Sequence, residues 1–146
     1  MQTFLPYADF DESAASLDRP RLGKQRVENL QILHAILDPL YGWQNHPAKL
    51  MWEAHHLALV AYQEAIVFEW HDIRKYKDTC WQKSLNLLDH EDRIAYINGD
   101  YEMPPWLGDE DFHRSHQSNL IRKDPVHYGP QFPGVPDDLD YIWPVQ

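Results

Sequence analysis

Apolar residues recur at helical intervals along this chain, and the clearest run opens at Pro47. Leu50, Met51, Ala54, Leu57, Ala58, Ala61, Tyr62, Ala65 and Ile66 follow at spacings of three, four and seven, which predicts one long helix reaching about Asp72. Ahead of it, Asp18 stands as an N-cap and Pro20 falls in a first turn, where a missing N–H costs nothing. That helix runs to about Leu37 and is stopped by Asp38-Pro39, because the residue before a proline avoids helical geometry. Tyr41–Pro47 reads as a turn, with Asn45 capping the helix that follows. Leu85–Ile97 carries a weaker helical pattern ended by Asn98-Gly99, Pro104-Pro105-Trp106 forms an extended linker, and a last helix spans about Asp109 to Lys123. Pro125, Pro130, Pro133, Pro136 and Pro144 leave the remainder as an extended surface tail. No run alternates as a strand does. The pattern describes an all-α, compact, single-domain helical bundle over residues 1–146, with an extended Pro-rich C-terminal tail.

Composition agrees with a real core. Hydrophobic residues make up 43% of the chain and aromatics 13%, too many for a disordered protein. No stretch approaches the roughly 20 apolar residues that span a membrane. The opening Met1-Gln-Thr-Phe-Leu-Pro-Tyr7 lacks the basic flank and apolar run of a signal peptide. Cys80 stands alone, which rules out a disulfide framework and a cysteine-based metal site, and a cytoplasmic location is expected. Among the tryptophans, Trp43, Trp52, Trp70 and Trp81 read as core or core edge, while Trp106 and Trp143 pin their Pro-rich stretches. Any one of them has the chemistry to stack on a base.

Charge adds a second layer. The net charge of −10 opposes nucleic-acid binding taken as a sum, but its distribution is uneven. Arg19–Val27 holds four basic residues and Phe112–Lys123 three more, neither with an acid, leaving a formal −17 on the rest of the chain. On a helical wheel Arg21, Lys24, Gln25 and Glu28 fall within about 100° of one another, opposite Leu22, Leu30, Leu33 and Leu37. Arg26 projects into the apolar side and there needs a defined partner.

Glu28 gains meaning beside the chain start. An α-amine has a reference pKa near 7.7–8.0, so roughly a sixth is neutral at pH 7, against about one lysine in 2,500. Such an amine is a natural nucleophile towards a carbonyl or C1′, and a carboxylate nearby would stabilise the cation that results. The apolar start (Phe4, Leu5, Pro6, Tyr7) is expected to dock against the first helix. Nine histidines invite a metal reading, but His55-His56 face different sides of a helix and no carboxylate or cysteine set completes His113, His116 and His127. Contacts to substrate or hydrogen bonds in the core explain them better, and no metal or cofactor is called for. The polar block His116-Gln-Ser-Asn119 reads as a substrate-facing or solvated surface, and His46 as a ring aimed at the site.

These residues resemble a known family. Asp18-Arg-Pro-Arg-Leu-Gly-Lys-Gln-Arg-Val-Glu28, Asn45-His-Pro47 and Arg122-Lys-Asp-Pro-Val-His-Tyr128 are similar to the pyrimidine-dimer DNA glycosylases of the phage endonuclease V type. The start Met1-Gln-Thr-Phe-Leu-Pro6 and the block Ser115–Pro125 resemble a branch of small bacterial and phage proteins. The resemblance implies an all-α fold, double-stranded damaged or modified DNA as partner, no cofactor, and base removal followed by backbone nicking. It implies Glu28 as the catalytic glutamate, Arg21 beside the lesion, and Met1 as the source of the nucleophilic amine. Arg19, Lys24, Gln25, Arg26, His46, His116, Asn119, Arg122, Lys123, His127 and Tyr128 would contact substrate. In that family the amine belongs to a small second residue exposed by Met removal; Gln2 is too large for that. Either the amine of Met1 takes the role, displaced by one residue, or the chemistry of this branch has changed. Two rival readings stand beside it: an enzyme of the same fold acting on a nucleotide or other small substrate, and a non-catalytic nucleic-acid or protein binding module.

Overall fold

Acidic caps and prolines partition the chain into helices, and a computed structural model describes them over residues 1–145; Gln146 lies outside the described residues. Asp9 accepts from the Glu12 N–H and opens α1 (Phe10–Ser16), a helix the sequence reading missed although Asp9-Phe-Asp-Glu12 combines a cap with first-turn acids. α2 (Arg19–Leu37) has the predicted bounds. Asp18 occupies its N-cap position without a side-chain capping bond, because its carboxylate is taken by Arg21 and Tyr128.

The long helix predicted from Pro47 to Asp72 is corrected. It comprises α3 (Pro47–Trp52), a 3₁₀ turn (Glu53–His55), α4 (His56–Val67) and a π-turn (Phe68–Ile73). The apolar spacing continues through these changes because periodicity reports which side meets the core, not whether the hydrogen-bond ladder is continuous. The cap of α3 is also corrected: His46, not Asn45, accepts from the Ala48 N–H through Nδ1 at 3.0 Å. Leu85–Ile97 is two helices, α5 (Cys80–Leu87) and α6 (His90–Ile97), separated where Leu88 turns extended and Asp89 caps Asp92. α7 (Glu110–Lys123) has the predicted span, with Asp109 as its cap, and Asp124-Pro125 then opens one further short turn, α8 (Pro125–Tyr128). No strand occurs among the described residues, and none of their helices is long and apolar enough to cross a membrane.

α4 is the central element. It packs on α1, α2 and α5, and nine of its twelve residues are buried. Around it Leu22, Ile32, Leu33, Trp52, Leu59, Ile66, Phe112 and Leu120 close one compact core. Each such side chain contributes about 1.5–3 kcal/mol relative to exposure. Trp43 departs from its predicted core position and is 54% exposed, and Val27 and Leu40 are exposed as well.

Inside this shell runs a buried stretch of main chain, Thr3–Pro6. It has no helix or sheet partners, so side chains must satisfy it. The Phe4 N–H donates to Gln25 Oε1 (2.9 Å), the Leu5 N–H to His116 Nδ1 (3.1 Å), and the Leu5 carbonyl accepts from His113 Nδ1 (2.7 Å). Tyr62 donates to the Phe4 carbonyl, Gln117 to the Pro6 carbonyl at 2.8 Å, and Trp52 Nε1 to Thr3 Oγ1 at 3.1 Å. Replacing Tyr62 with phenylalanine strands the Phe4 carbonyl in the core. Tyr62→Phe is expected to lower unfolding free energy by about 1–3 kcal/mol in urea titrations, with an unchanged m-value.

Candidate active site

The polar face of α2 is only partly open to solvent, at Lys24. Gln25, Glu28 and Asn29 are buried, because the N-terminal segment lies across them. The Gln25 amide is fully committed: its oxygen takes the Phe4 N–H and its nitrogen donates to the Gln2 carbonyl and to Asn29 Oδ1, both at 2.8 Å. This tie fixes the chain start beside Glu28.

Glu28 is 7% exposed, and burial raises its pKa above the usual carboxylate range. Lys24 one turn earlier (Nζ–Oε1 3.7 Å), the α-amine of Met1 and Lys123 oppose that shift. His46 lies in the field of the same α-amine: its pKa is lowered by burial and then by that positive charge. With Nδ1 accepting from Ala48, the neutral imidazole carries its proton on Nε2. The amine and Glu28 make no direct ion pair within 4.0 Å; the charge of the amine acts on Glu28 through space.

Tyr141 completes this corner from the C-terminal segment, and nothing in the sequence pattern pointed to it. Its hydroxyl is buried beside the Gln2 side chain without a well-formed hydrogen bond. Burial pushes its pKa up to about 12; Arg122 and Arg21 pull it down, and Glu28 adds to the rise. The phenol therefore stays protonated and keeps an O–H to donate. Its placement follows from the polar block of α7. Ser118 Oγ accepts from the Leu139 N–H (3.0 Å), Ser115 Oγ from the Ile142 N–H (3.1 Å), and Asn119 and Arg122 donate to the Leu139 carbonyl. The block expected at a surface instead holds both chain ends: His116 and Gln117 bind the first, Ser115, Ser118 and Asn119 the last.

The remaining predicted residues divide clearly. Arg21 is held by Asp18 (2.9 Å), which also accepts from the buried Tyr128 hydroxyl. Lys24, Arg122 and Lys123 are exposed at the rim. Arg26 lies about 200° of helix rotation from Glu28, paired with Asp78 at 2.6 Å and stacked on Trp70 at 4.5 Å. Its partner is the one that an arginine on the apolar side required. Arg19 lies over Tyr76, and the His127 ring meets the Ser16 carbonyl. Gln25, His116 and Tyr128 have no polar atom free at the surface. Among the described residues no group of three His, Cys, Asp or Glu side chains converges as a metal site.

This arrangement, an amine beside a buried carboxylate with cations at its rim, can form and break a C–N bond to an anionic substrate. The family model for pyrimidine dimer DNA glycosylase matches residues 1–84, a span that carries the amine, Glu28 and His46. The chain belongs to this family. No curated protein and no solved structure matches it significantly. Membership of that family implies DNA as partner, and Tyr141 and the α7 block lie beyond the matched span.

His116 sets a pH dependence. Burial, and then His113, depress it to about 3, so the folded protein keeps it neutral while an unfolded chain protonates it near 6.5. Between those values the unfolded state binds more protons, so stability is complete above about pH 6.5 and falls on acidification. Urea midpoints measured from pH 7 to pH 4 should decline steadily, and His116→Gln should flatten that slope while lowering the pH 7 value.

Proposed function

We propose that this protein is a DNA glycosylase and abasic-site lyase acting on damaged or modified pyrimidines in duplex DNA. The supporting observation is that the charge of the Met1 α-amine acts on both Glu28 and His46. The neutral amine attacks C1′, the N–C1′ bond forms, and the glycosidic bond breaks with its electrons leaving on the base. Opening of the sugar ring gives an iminium, whose positive charge Glu28 stabilises. Glu28 then takes a proton from C2′, the C3′–O bond breaks, and the 3′ phosphate departs. In this reading the Tyr141 hydroxyl and the His46 Nε2–H donate to the ring oxygen or the departing base. Lys24, Arg122 and Lys123 neutralise backbone phosphates, with Arg21 oriented towards the lesion by Asp18.

The acidic net charge favours one alternative, a nucleotide or other small substrate. Salt separates the two: duplex binding that weakens steeply with salt marks phosphate contacts, whereas no binding even at low salt removes DNA as substrate.

Borohydride reduction during reaction with an abasic duplex should trap a covalent adduct on wild type. Mass spectrometry should map it to Met1; an adduct on Lys24, the competing amine near Glu28, would refute the assignment. Glu28→Gln should reduce trapping by at least about 100-fold, and Tyr141→Phe by about tenfold with the fold intact by circular dichroism.

A further inference from the structure

The loop joining α2 to α3 presents a tryptophan where the physics of a monomer would not leave it. Trp43 has φ of 69°, a left-handed conformation that bulky side chains avoid, and the residue is 54% exposed. The loop around it is braced. The Gln44 amide donates to the carbonyls of Ala35 (2.8 Å), Asp38 (3.1 Å) and Tyr41 (2.9 Å), and His34 stacks on Tyr41 at 3.9 Å. The Trp43 carbonyl accepts from the His46 N–H at 3.1 Å, tying the residue to the start of α3. A strained backbone, held rigidly, exposing a large apolar ring, is the signature of a residue shaped for a contact outside the chain.

Its position says which contact. The Trp43 ring meets His46 edge-on at 5.8 Å, and His46 in turn meets Trp143 edge-on at 6.0 Å and lies in the field of the α-amine. The indole therefore packs on His46, a ring that feels the charge of the group proposed to attack C1′. Reaching C1′ requires a base to leave the stack, and an aromatic ring that replaces the lost stacking offsets that cost without reading sequence.

Resting on the glycosylase reading above, we propose that Trp43 stacks on a base of the duplex at the lesion, holding the helix open while the amine reacts. The recognised chemistry is the face of a nucleobase next to a vacated stacking position. Acting on an opened duplex, Trp43 governs discrimination between stacked and unstacked DNA.

The test compares borohydride trapping on an abasic site in a duplex and in the same strand alone. Trp43→Ala should lower the duplex-to-single-strand ratio of trapping rates about tenfold, and Trp43→Phe should recover most of it. Trp43→Gly removes the ring and suits the positive φ, so its ratio should fall as in Trp43→Ala while its urea midpoint stays level or rises. A wild-type adduct with equal losses on both substrates, or full retention of the ratio in Trp43→Ala, overturns the stacking role and leaves the glycosylase reading standing. No wild-type adduct on either substrate overturns both.

Discussion

The structure depends on keeping an unpaired stretch of main chain, Thr3–Pro6, in the interior. Peptide groups there have lost water and have neither a helix nor a sheet to replace it. Gln25, Tyr62, His113, His116 and Gln117 supply the missing partners from three helices. Each bond contributes only about 0.5–1.5 kcal/mol net, but losing one leaves a buried group whose desolvation is uncompensated, at about 1–3 kcal/mol. The set is consequently all-or-none, and it forces His116 to remain neutral, since a proton on Nδ1 would abolish its acceptor role towards Leu5. What the clamp achieves is positional. It ties Gln2 to α2 through Gln25, and a proposed nucleophile that is held in place reacts with a smaller loss of freedom than one on a waving terminus.

Electrostatics follow the same geometry and resolve the conflict between an acidic chain and an anionic partner. The basic windows do not act as blocks. In the first, Arg26 turns to Asp78 on the far side of α2 and Arg21 is held by Asp18, leaving Lys24 nearest Glu28. In the second, Lys123 is close enough for its charge to act on Glu28, while Arg122 braces the C-terminal segment and acts on Tyr141. A few cations focused at one corner suffice locally, because charges beyond a Debye length of about 8 Å are largely screened at physiological salt. The net −10 then bears on solubility and on repulsion away from that corner rather than on the contact itself.

How far this was legible in the sequence depended on whether a signal was local. The ends of α2 and α7 were readable because Asp18, Pro20, Asp38-Pro39 and Asp109 act within a turn of themselves. Helix type around Glu53–His55 and Phe68–Ile73 was not, since the same apolar spacing serves α, 3₁₀ and π ladders. Glu28 stood out through its neighbours on one helical face. The role of α7 was hidden because a run such as Ser115–Asn119 looks identical whether it meets water or buried main chain; only the partners, more than a hundred residues away for Leu5 and Pro6, distinguish the two. Tyr141 lacked any local cue for a related reason: its position is dictated by serines on another element.

Departures from local comfort in this molecule occur on both sides of α2. A carboxylate raised by burial, a tyrosine hydroxyl without a well-formed bond and an unsatisfied imidazole nitrogen of His116 lie near the N-terminal segment, while positive φ occurs at Trp43 in the loop after α2 and at Lys75 before α5. The opposite side of α2 has its own unsatisfied atoms, Arg26 Nε and Gln63 Oε1. There the rest of each group is well paired: Arg26 has Asp78 and Trp70, and the Gln63 amide donates to the Arg26 carbonyl and Ser84. Stability alone would favour relief at both places, and small changes such as a glycine at position 43 or a neutral side chain at position 28 would provide it. Strain of this kind persists where the surrounding structure enforces it and an external partner uses it. The neighbourhood of Glu28, His46, Tyr141 and Trp43 thus coincides with the corner of the fold to which the proposed glycosylase chemistry is assigned.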